Sequence, residues 1–386
     1  MIPQNTQRTE LPSNNLTQKH DLGNVHLLQQ VFISNKQSPL IDGVIPKKIG
    51  KYLLKDTIGH GAFSIVKLAI DIKSNENFGC KIISKKRLLR IDMEDRFEKE
   101  IRILQKLRHP GIATLYDLIK DSINYYLFLE LCPNGTLFDL IVSKKKIPED
   151  EAKYIFKQIV VTLKYIHSQN VIHRDIKPEN ILIDENLNIK FIDFGFSAYY
   201  DPDNLSKTNC HTPNYASPQL LSGLPYDGQK SDIWSLGILL YVMLNGKIPW
   251  TSTNQKQLID EIRNANVFLP FSMSEEARDL LSHIIAKEAD QRISIDDILN
   301  HPWLQNIPTL NIHPIRINES REKSVRLNDV DRFFNKSSFK SCSVLRFSNS
   351  HLLTEGKIAL ARANRRPTKD TGRFKKASLC KIKSFE

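Results

Sequence analysis

Cysteine is scarce in this sequence, and no spacing pairs it: Cys80, Cys132, Cys210, Cys342 and Cys380 are odd in number and far apart. No C-x-x-C string or histidine cluster accompanies them, which argues against a disulfide framework or a zinc site and for reduced thiols in a reducing compartment. Long apolar runs are missing too. The most apolar stretch, 233–244, is broken by Ser235 and is too short to cross a bilayer, so a buried helix is expected there. The first residues, Met1-Ile2-Pro3-Gln4-Asn5, are polar and carry no apolar signal core. An intracellular protein, cytoplasmic or nuclear, is therefore expected. There is no internal repeat and no G-x-x-x-x-G-K-[ST] string, so a P-loop nucleotidase is excluded.

What is present is enough apolar material, 40% of 386 residues, for one large two-lobed domain with tails. The net charge of +12 suggests nucleic acid until it is located. Residues 304–386 hold 18 basic against 7 acidic residues, whereas 51–303 hold 32 against 33. The body is nearly neutral, and the excess belongs to the tail.

Residues 1–50 are rich in Gln, Asn, Ser and Pro without sustained periodicity and are expected to be a disordered extension. From Lys51 the pattern changes. Short β-type segments at 52–58, 64–70 and 77–83 are separated by glycine and polar turns. Phe97, Ile101, Leu104 and Leu107 then recur at helical spacing, and strands follow near 114–119 and 125–131. Beyond Pro133-Asn134-Gly135 the character is helical. Pro148 followed by Glu149, Asp150 and Glu151 suits a helix start, with Ala152, Ile155, Phe156, Ile159, Leu163 and Ile166 as its apolar stripe. A strand-rich lobe, 51–131, joined near 130–133 to a larger helical lobe, 132–303, is the expected α+β organisation. The segment 304–386 is basic, Ser-rich and poorly patterned and is expected to be a mostly disordered tail.

Three motifs carry chemistry. Gly59-His60-Gly61-Ala62-Phe63-Ser64-Ile65-Val66 lies between two strands, where glycine lets backbone amides approach phosphates. Lys81 sits among apolar strand residues; pointing inward it needs an anion, and Glu100 on the following helix is a candidate. Each of these alone has an ordinary reading, a hairpin turn and a solvated lysine. The third is far more specific: His173-Arg174-Asp175-Ile176-Lys177-Pro178-Glu179-Asn180, then Asp193-Phe194-Gly195. Two carboxylates and an asparagine beside short strands can converge on one cleft as oxygen ligands for Mg²⁺, with one carboxylate left to accept a hydroxyl proton. A turn or cap explains a single Asp but not the ordered set.

That set, in that chain order, resembles the eukaryotic protein kinases over about residues 51–303. The resemblance implies a two-lobed fold, with a small antiparallel sheet plus one main helix and a larger helical lobe. It implies ATP and Mg²⁺ as cofactors and protein hydroxyls as substrates. Ile58, Gly59, His60, Gly61, Ala62, Phe63, Ser64 and Val66 would cover the nucleotide, and Lys81, paired with Glu100, would hold its α/β-phosphates. Glu130 and Cys132 would meet adenine through their backbones, with Leu129 behind it. Asp175 would be the catalytic base, Lys177 a γ-phosphate contact, and Asn180 and Asp193 the metal ligands. Lys177 points to serine and threonine rather than tyrosine. The stretch from Gly246 to Pro249-Trp250 and the closing His301-Pro302-Trp303 resemble the calcium/calmodulin-dependent and AMP-activated-like branch.

Departures from the family pattern are few. Gln219 stands where a glutamate normally pairs with an arginine, here Arg292, which implies weaker loop anchoring. Ser64 replaces the third glycine, Gly79 the usual alanine, and Thr136 a glutamate that binds basic substrates; Glu179 remains as a second acidic contact. Arg174 beside Asp175 implies activation by a phosphorylated loop residue, and Thr208 matches that position, so an upstream activating kinase is expected. Arg365-Arg366-Pro367-Thr368 and Lys375-Lys376-Ala377-Ser378 look like sites for a basic-directed kinase, and the tail could weakly contact anionic surfaces. Calmodulin binding is not evident, because Pro308 and Pro314 interrupt any helix after Trp303; 321–334 has some helical apolar spacing. The rival readings are a pseudokinase scaffold and a nucleic-acid binder. The complete catalytic set argues against the first, the near-neutral body against the second.

Overall fold

Period-two alternation builds the first half of the domain in the computed structural model, which describes residues 44–61, 64–90, 93–184, 186–201, 206, 213–223, 225–305, 307 and 324–334. Strands β1 (Lys48–Ile49), β2 (Tyr52–His60), β3 (Ser64–Asp71), β4 (Asn77–Ser84), β5 (Leu115–Lys120) and β6 (Asn124–Glu130) form one antiparallel sheet in the order β1-β2-β3-β4-β6-β5. On β4, Phe78, Cys80 and Ile82 point to one face. There they join Tyr52, Leu54, Ile65, Ala69, Tyr126 and Phe128 in a closed cluster, with Tyr52 stacked on Phe128 at 3.6 Å. Lys81 and Gly79 necessarily take the other face. The sheet itself begins before residue 51: β1 pairs with β2, and Ile45 and Ile49 pack on the same cluster. The polar look of 1–50 hides these two isoleucines among lysine and proline.

Helix α1 (Lys85–Arg90) precedes α2 (Glu94–Lys106), the main helix of this lobe. Phe97, Ile101 and Leu104 recur at i, i+4 and i+7 and are buried with Glu100 and Ile103, so one face of α2 is pressed inward. The large lobe begins with α3 (Leu137–Lys144), capped by a reciprocal Thr136–Asp139 box. Helix α4 (Glu149–Ser168) follows, with three acidic residues in its first turn. Its buried stripe includes Ile155, Phe156, Ile159 and Leu163; each such side chain stabilises by roughly 1.5–3 kcal/mol. Short antiparallel pairs β7 (Val171–Ile172) with β10 (Ala198–Tyr199), and β8 (Ile181–Ile183) with β9 (Ile189–Phe191), carry the site loops.

Helices α5 (Pro218–Leu221), α6 (Gly228–Asn245), α7 (Gln255–Asn264), α8 (Glu275–Ile284) and α9 (Ile295–Asn300) complete the lobe. Helix α6 is buried nearly all round and contains the apolar stretch read from sequence. It ends at Gly246, whose φ of 73° is left-handed and whose absent Cβ would lie 1.8 Å from the Lys145 carbonyl. Among the described residues no helix is long and apolar enough to cross a membrane.

The helical apolar spacing read at 321–334 becomes a packed helix: α10 (Leu327–Phe333) buries Val330 and Phe333 against α2 and β5. Residues 1–43, Ala62, Phe63, Thr208, Thr368 and Ser378 lie outside the described residues.

Candidate functional site

The roof of the site is the β2–β3 hairpin. Gly59 pairs with Val66 and His60 with Ile65, and the Gly61 amide donates to the Ser64 carbonyl at 2.8 Å. A Cβ on Gly61 would come within 2.6 Å of Ser64 Oγ, so a larger residue there would have to turn the Ser64 side chain aside. Ile58, before the turn, is half exposed. Beneath it, Val66, Gly79 and Lys81 share the inner face of the sheet.

Strand register then aims the lysine. Lys81 lies between Val66 and Leu127, and its Nζ reaches Glu100 Oε1 at 2.9 Å and Asp193 Oδ1 at 3.6 Å. Burial alone would lower the Lys81 pKa, but the charges of Asp193 and Glu100 outweigh it and raise it, so the ammonium stays charged. Lys81 in turn holds Asp193 below its usual value, while burial pushes Glu100 up. Asp193 has a left-handed φ of 60°, and its Oδ1 accepts from the Gly195 amide at 3.3 Å.

The floor is the loop 173–180. Asp175 is buried, and its Oδ2 accepts from Lys177 Nζ at 2.8 Å and from Asn180 Nδ2 at 2.7 Å; the same amide also donates to the Asp175 carbonyl at 2.9 Å. Burial would lower the Lys177 pKa, but Asp175 reverses the sign. Thus Lys81, Glu100 and Asp193 form one connected group, and Asp175, Lys177 and Asn180 a second. Both face the groove between the sheet and the helical lobe. At the joint, Glu130 Oε1 meets Lys190 at 2.7 Å, and the Glu130 and Thr114 backbones bond at 2.9 Å, so the strand end next to Cys132 is held in place.

Two residues, one in the quoted motif and one at the start of the apolar helix, hold the loop in ways their positions in the chain do not state. Asp232, at the start of α6, is fully buried and accepts from the amides of His173 and Arg174, both at 2.8 Å, and lies 2.9 Å from His167 Nε2. It anchors the 173–180 loop while Arg174 adopts a left-handed φ of 66°. His173, also fully buried, has its ring 4.9 Å from Phe194, and burial lowers its pKa; it is a packing link between the loop and the Asp193 segment. The local signal for either is an ordinary polar residue near a helix or strand end.

Arg174 Nη2 donates to Ser206 Oγ at 2.8 Å. Gln219 does more than its sequence position implied. Its Oε1 accepts from Arg292 Nη2 at 2.5 Å, and its Nε2 donates to the Lys287 carbonyl at 2.7 Å, a bond a carboxylate cannot make. Burial lowers the Arg292 pKa to about 10, still leaving it charged at neutral pH. A separate cluster, Asp279, His283 and His301, has ligand atoms within 4.8 Å of one another. His301 Nδ1 accepts from the Trp303 amide at 3.2 Å, however, which leaves Nε2 to donate to Asp279 at 3.0 Å; the group serves as a helix cap.

A sheet-roofed, helix-floored groove with these two groups on opposite sides defines the protein kinase fold. The chain belongs to the protein kinase domain family, whose model matches residues 52–304. It is 40% identical over 274 residues to a carbon catabolite-derepressing protein kinase of Candida glabrata, covering 71% of this chain and 44% of the relative. It is 39% identical over 286 residues to the SNF1-like protein kinase ssp2 of Schizosaccharomyces pombe, covering 74% and 50%. It is 38% identical over 274 residues to the SNF1-related protein kinase catalytic subunit alpha KIN12 of Arabidopsis thaliana, covering 71% and 54%. The chain therefore spans about half the length of the curated relatives it matches.

Proposed function

We propose that this chain is an active serine/threonine protein kinase that moves the γ-phosphoryl group of Mg-ATP to protein hydroxyls. The observation that carries the reading is the joint presence, in one groove, of the Lys81–Glu100 pair, Asp193 beside it, and Asp175 held by Lys177 and Asn180. A scaffold without catalysis has no need of a second carboxylate buried at the acceptor side. The names of the relatives, protein kinases throughout, support the same reading.

The residues fit the cofactor. Asp193, kept ionised by Lys81, and Asn180 offer the oxygen donors that Mg²⁺ prefers, and the glycine hairpin would cover the phosphates from above. When bound, Mg-ATP would supply the transferable phosphoryl group, with the metal offsetting the phosphate charge. Lys81 clamps the α/β-phosphates, and Glu100 fixes its direction. Asp175 orients the acceptor hydroxyl and takes its proton, while Lys177 bridges that carboxylate to the γ-phosphate. Glu130 and Cys132 present hinge backbone to the adenine edge.

Substrate choice follows from Glu179. One of its carboxylate oxygens is buried without a hydrogen-bond partner, and burial raises its pKa. Such a group gains most from a cation supplied by the substrate, so acceptors with an upstream arginine are preferred. Thr208 is the activating phosphosite, written by an upstream kinase, and Arg174 receives its phosphate. The basic tail, 304–386, makes weak contacts with anionic surfaces, and the protein works inside the cell.

The decisive measurement is transfer of labelled phosphate from Mg-ATP to a protein or peptide by the purified, loop-phosphorylated chain. Asp175→Asn should lower transfer by about 10³-fold with nucleotide affinity retained. Thr208→Ala should cut peptide phosphorylation strongly while ATP still binds. A wild-type chain that labels no polypeptide would leave only the scaffold reading.

A further inference from the structure

The segment 324–334 lies beyond the stretch that matches the family model, yet it is built into the small lobe. It meets β5 first: the Val325 amide donates to the Leu115 carbonyl at 3.1 Å, and Arg108 Nη2 donates to the Val325 carbonyl at 3.2 Å. Helix α10 then crosses α2. Asp331 Oδ1 accepts from Arg102 Nη2 at 2.8 Å, and the same guanidinium holds Glu98 through Nε, also at 2.8 Å. Lys120 donates to the Phe333 carbonyl.

Aromatic packing completes the attachment. Phe333 lies 5.4 Å from Tyr125 on β6, Phe334 lies 5.9 Å from Phe97 on α2, and Phe97 and Tyr125 are themselves 4.9 Å apart. Val330 is fully buried. These contacts reach α2 on turns adjacent to Glu100. Arg102 is two residues on, about 200° round the helix, so it grips the face opposite the one that presents Glu100 to Lys81. Phe97 is one turn before. Helix α2 itself has no side-chain cap at its start, and residues 91–92 before it lie outside the described set. What holds it at the distance that closes the 2.9 Å Lys81–Glu100 pair is lateral packing, and α10 supplies part of that packing.

We propose that residues 324–334 are an intramolecular strap on α2, and that Val330, Asp331, Phe333 and Phe334 are positioning residues that keep Glu100 on Lys81. The strap favours the phosphate-holding geometry, because the docked segment and the closed ion pair occur together. Its regulatory sense rests on the phosphotransfer reading above, but its structural sense does not. A device of this kind acts by population: loosening α2 reduces the fraction of molecules in which Lys81 is correctly held.

The test uses the full chain and two readouts, amide exchange and turnover. Phe333→Ala/Phe334→Ala should raise amide exchange in 94–106 about tenfold, with 149–168 and 228–245 unchanged. In the same variant kcat should fall on the order of fivefold to tenfold while KM for the peptide stays within about twofold. Phe333→Leu should restore most of both. Asp331→Asn, which removes only the ion pair to Arg102, should shift both readouts in the same direction by a smaller factor, and it keeps the test open if the double variant fails to fold. Unchanged exchange in 94–106 in these variants overturns the strap. Raised turnover overturns it as well, since the segment would then be a brake. Raised exchange in a chain whose wild type transfers no phosphate leaves the strap standing and removes the kinase reading instead.

Discussion

The two halves of the site are held in different ways. The Asp175 side is fixed from within: Asp232, fully buried on α6, accepts two backbone amides and faces His167, while α6 is wrapped by the large-lobe core. The Lys81 side depends on α2, a helix open to packing from one flank and lacking a side-chain cap. Burial makes the first rigid. The second is held by a few contacts at its edge and is the half those contacts can move.

The comparison is broken most severely at Asp232. Asp232→Ala leaves two backbone donors and His167 without their acceptor, and should cost about 3–5 kcal/mol, read as a fall of about 10 °C in Tm with loss of turnover. Equal Tm in variant and wild type would mean the anchor is not structural. On the other half, Glu100→Gln keeps a hydrogen bond to Lys81 but removes the charge. It should lower kcat/KM for ATP about 10- to 100-fold with little change in Tm, measured by initial rates against nucleotide concentration.

A smaller effect is expected at Glu179, whose pKa burial raises. As pH falls through that raised value the carboxylate is protonated and its hold on a substrate cation is lost. KM for an arginine-containing peptide should thus rise at a higher pH than an ordinary carboxyl would dictate, and Glu179→Gln should abolish the dependence. The stability sign is opposite to that of a salt-bridged acid. The native state binds this proton more tightly than the unfolded chain, so the group's contribution improves as pH falls through the same window. The smallest effect is expected at Gln219. Gln219→Glu would form the ion pair with Arg292 but set a carboxylate against the Lys287 carbonyl that Gln219 now donates to, so Tm should change by no more than about 3 °C.

Much of the fold was legible because strand alternation and helical spacing are local. Segments expected at 52–58, 64–70 and 77–83 are β2, β3 and β4 to within two residues, and the stripe from Ala152 to Ile166 lies on α4. The ordered motif set marked the candidate residues for the same reason: each is a short string. The contacts of Asp232 and His173 could not be read that way. Their work is to accept a hydrogen bond or fill space 20 to 60 positions away in the chain, and nothing in their neighbours encodes that partner. Gln219 was read as a loss because the missing charge is visible in sequence, whereas the carbonyl its amide reaches is not.

The string of residues by itself determined the two-lobed α+β plan, the near-neutral body with its basic tail, and which side chains could do phosphate chemistry. The plan and the charge split follow from composition and periodicity, and the candidate side chains from the family resemblance that the motif order carries. Only the tertiary structure decided that Asp193 and Glu100 share one lysine, that Asp232 sets the loop, and that 324–334 returns to grip α2. Those facts depend on which distant surfaces bury each other, and burial, unlike pattern, is a property of the whole fold.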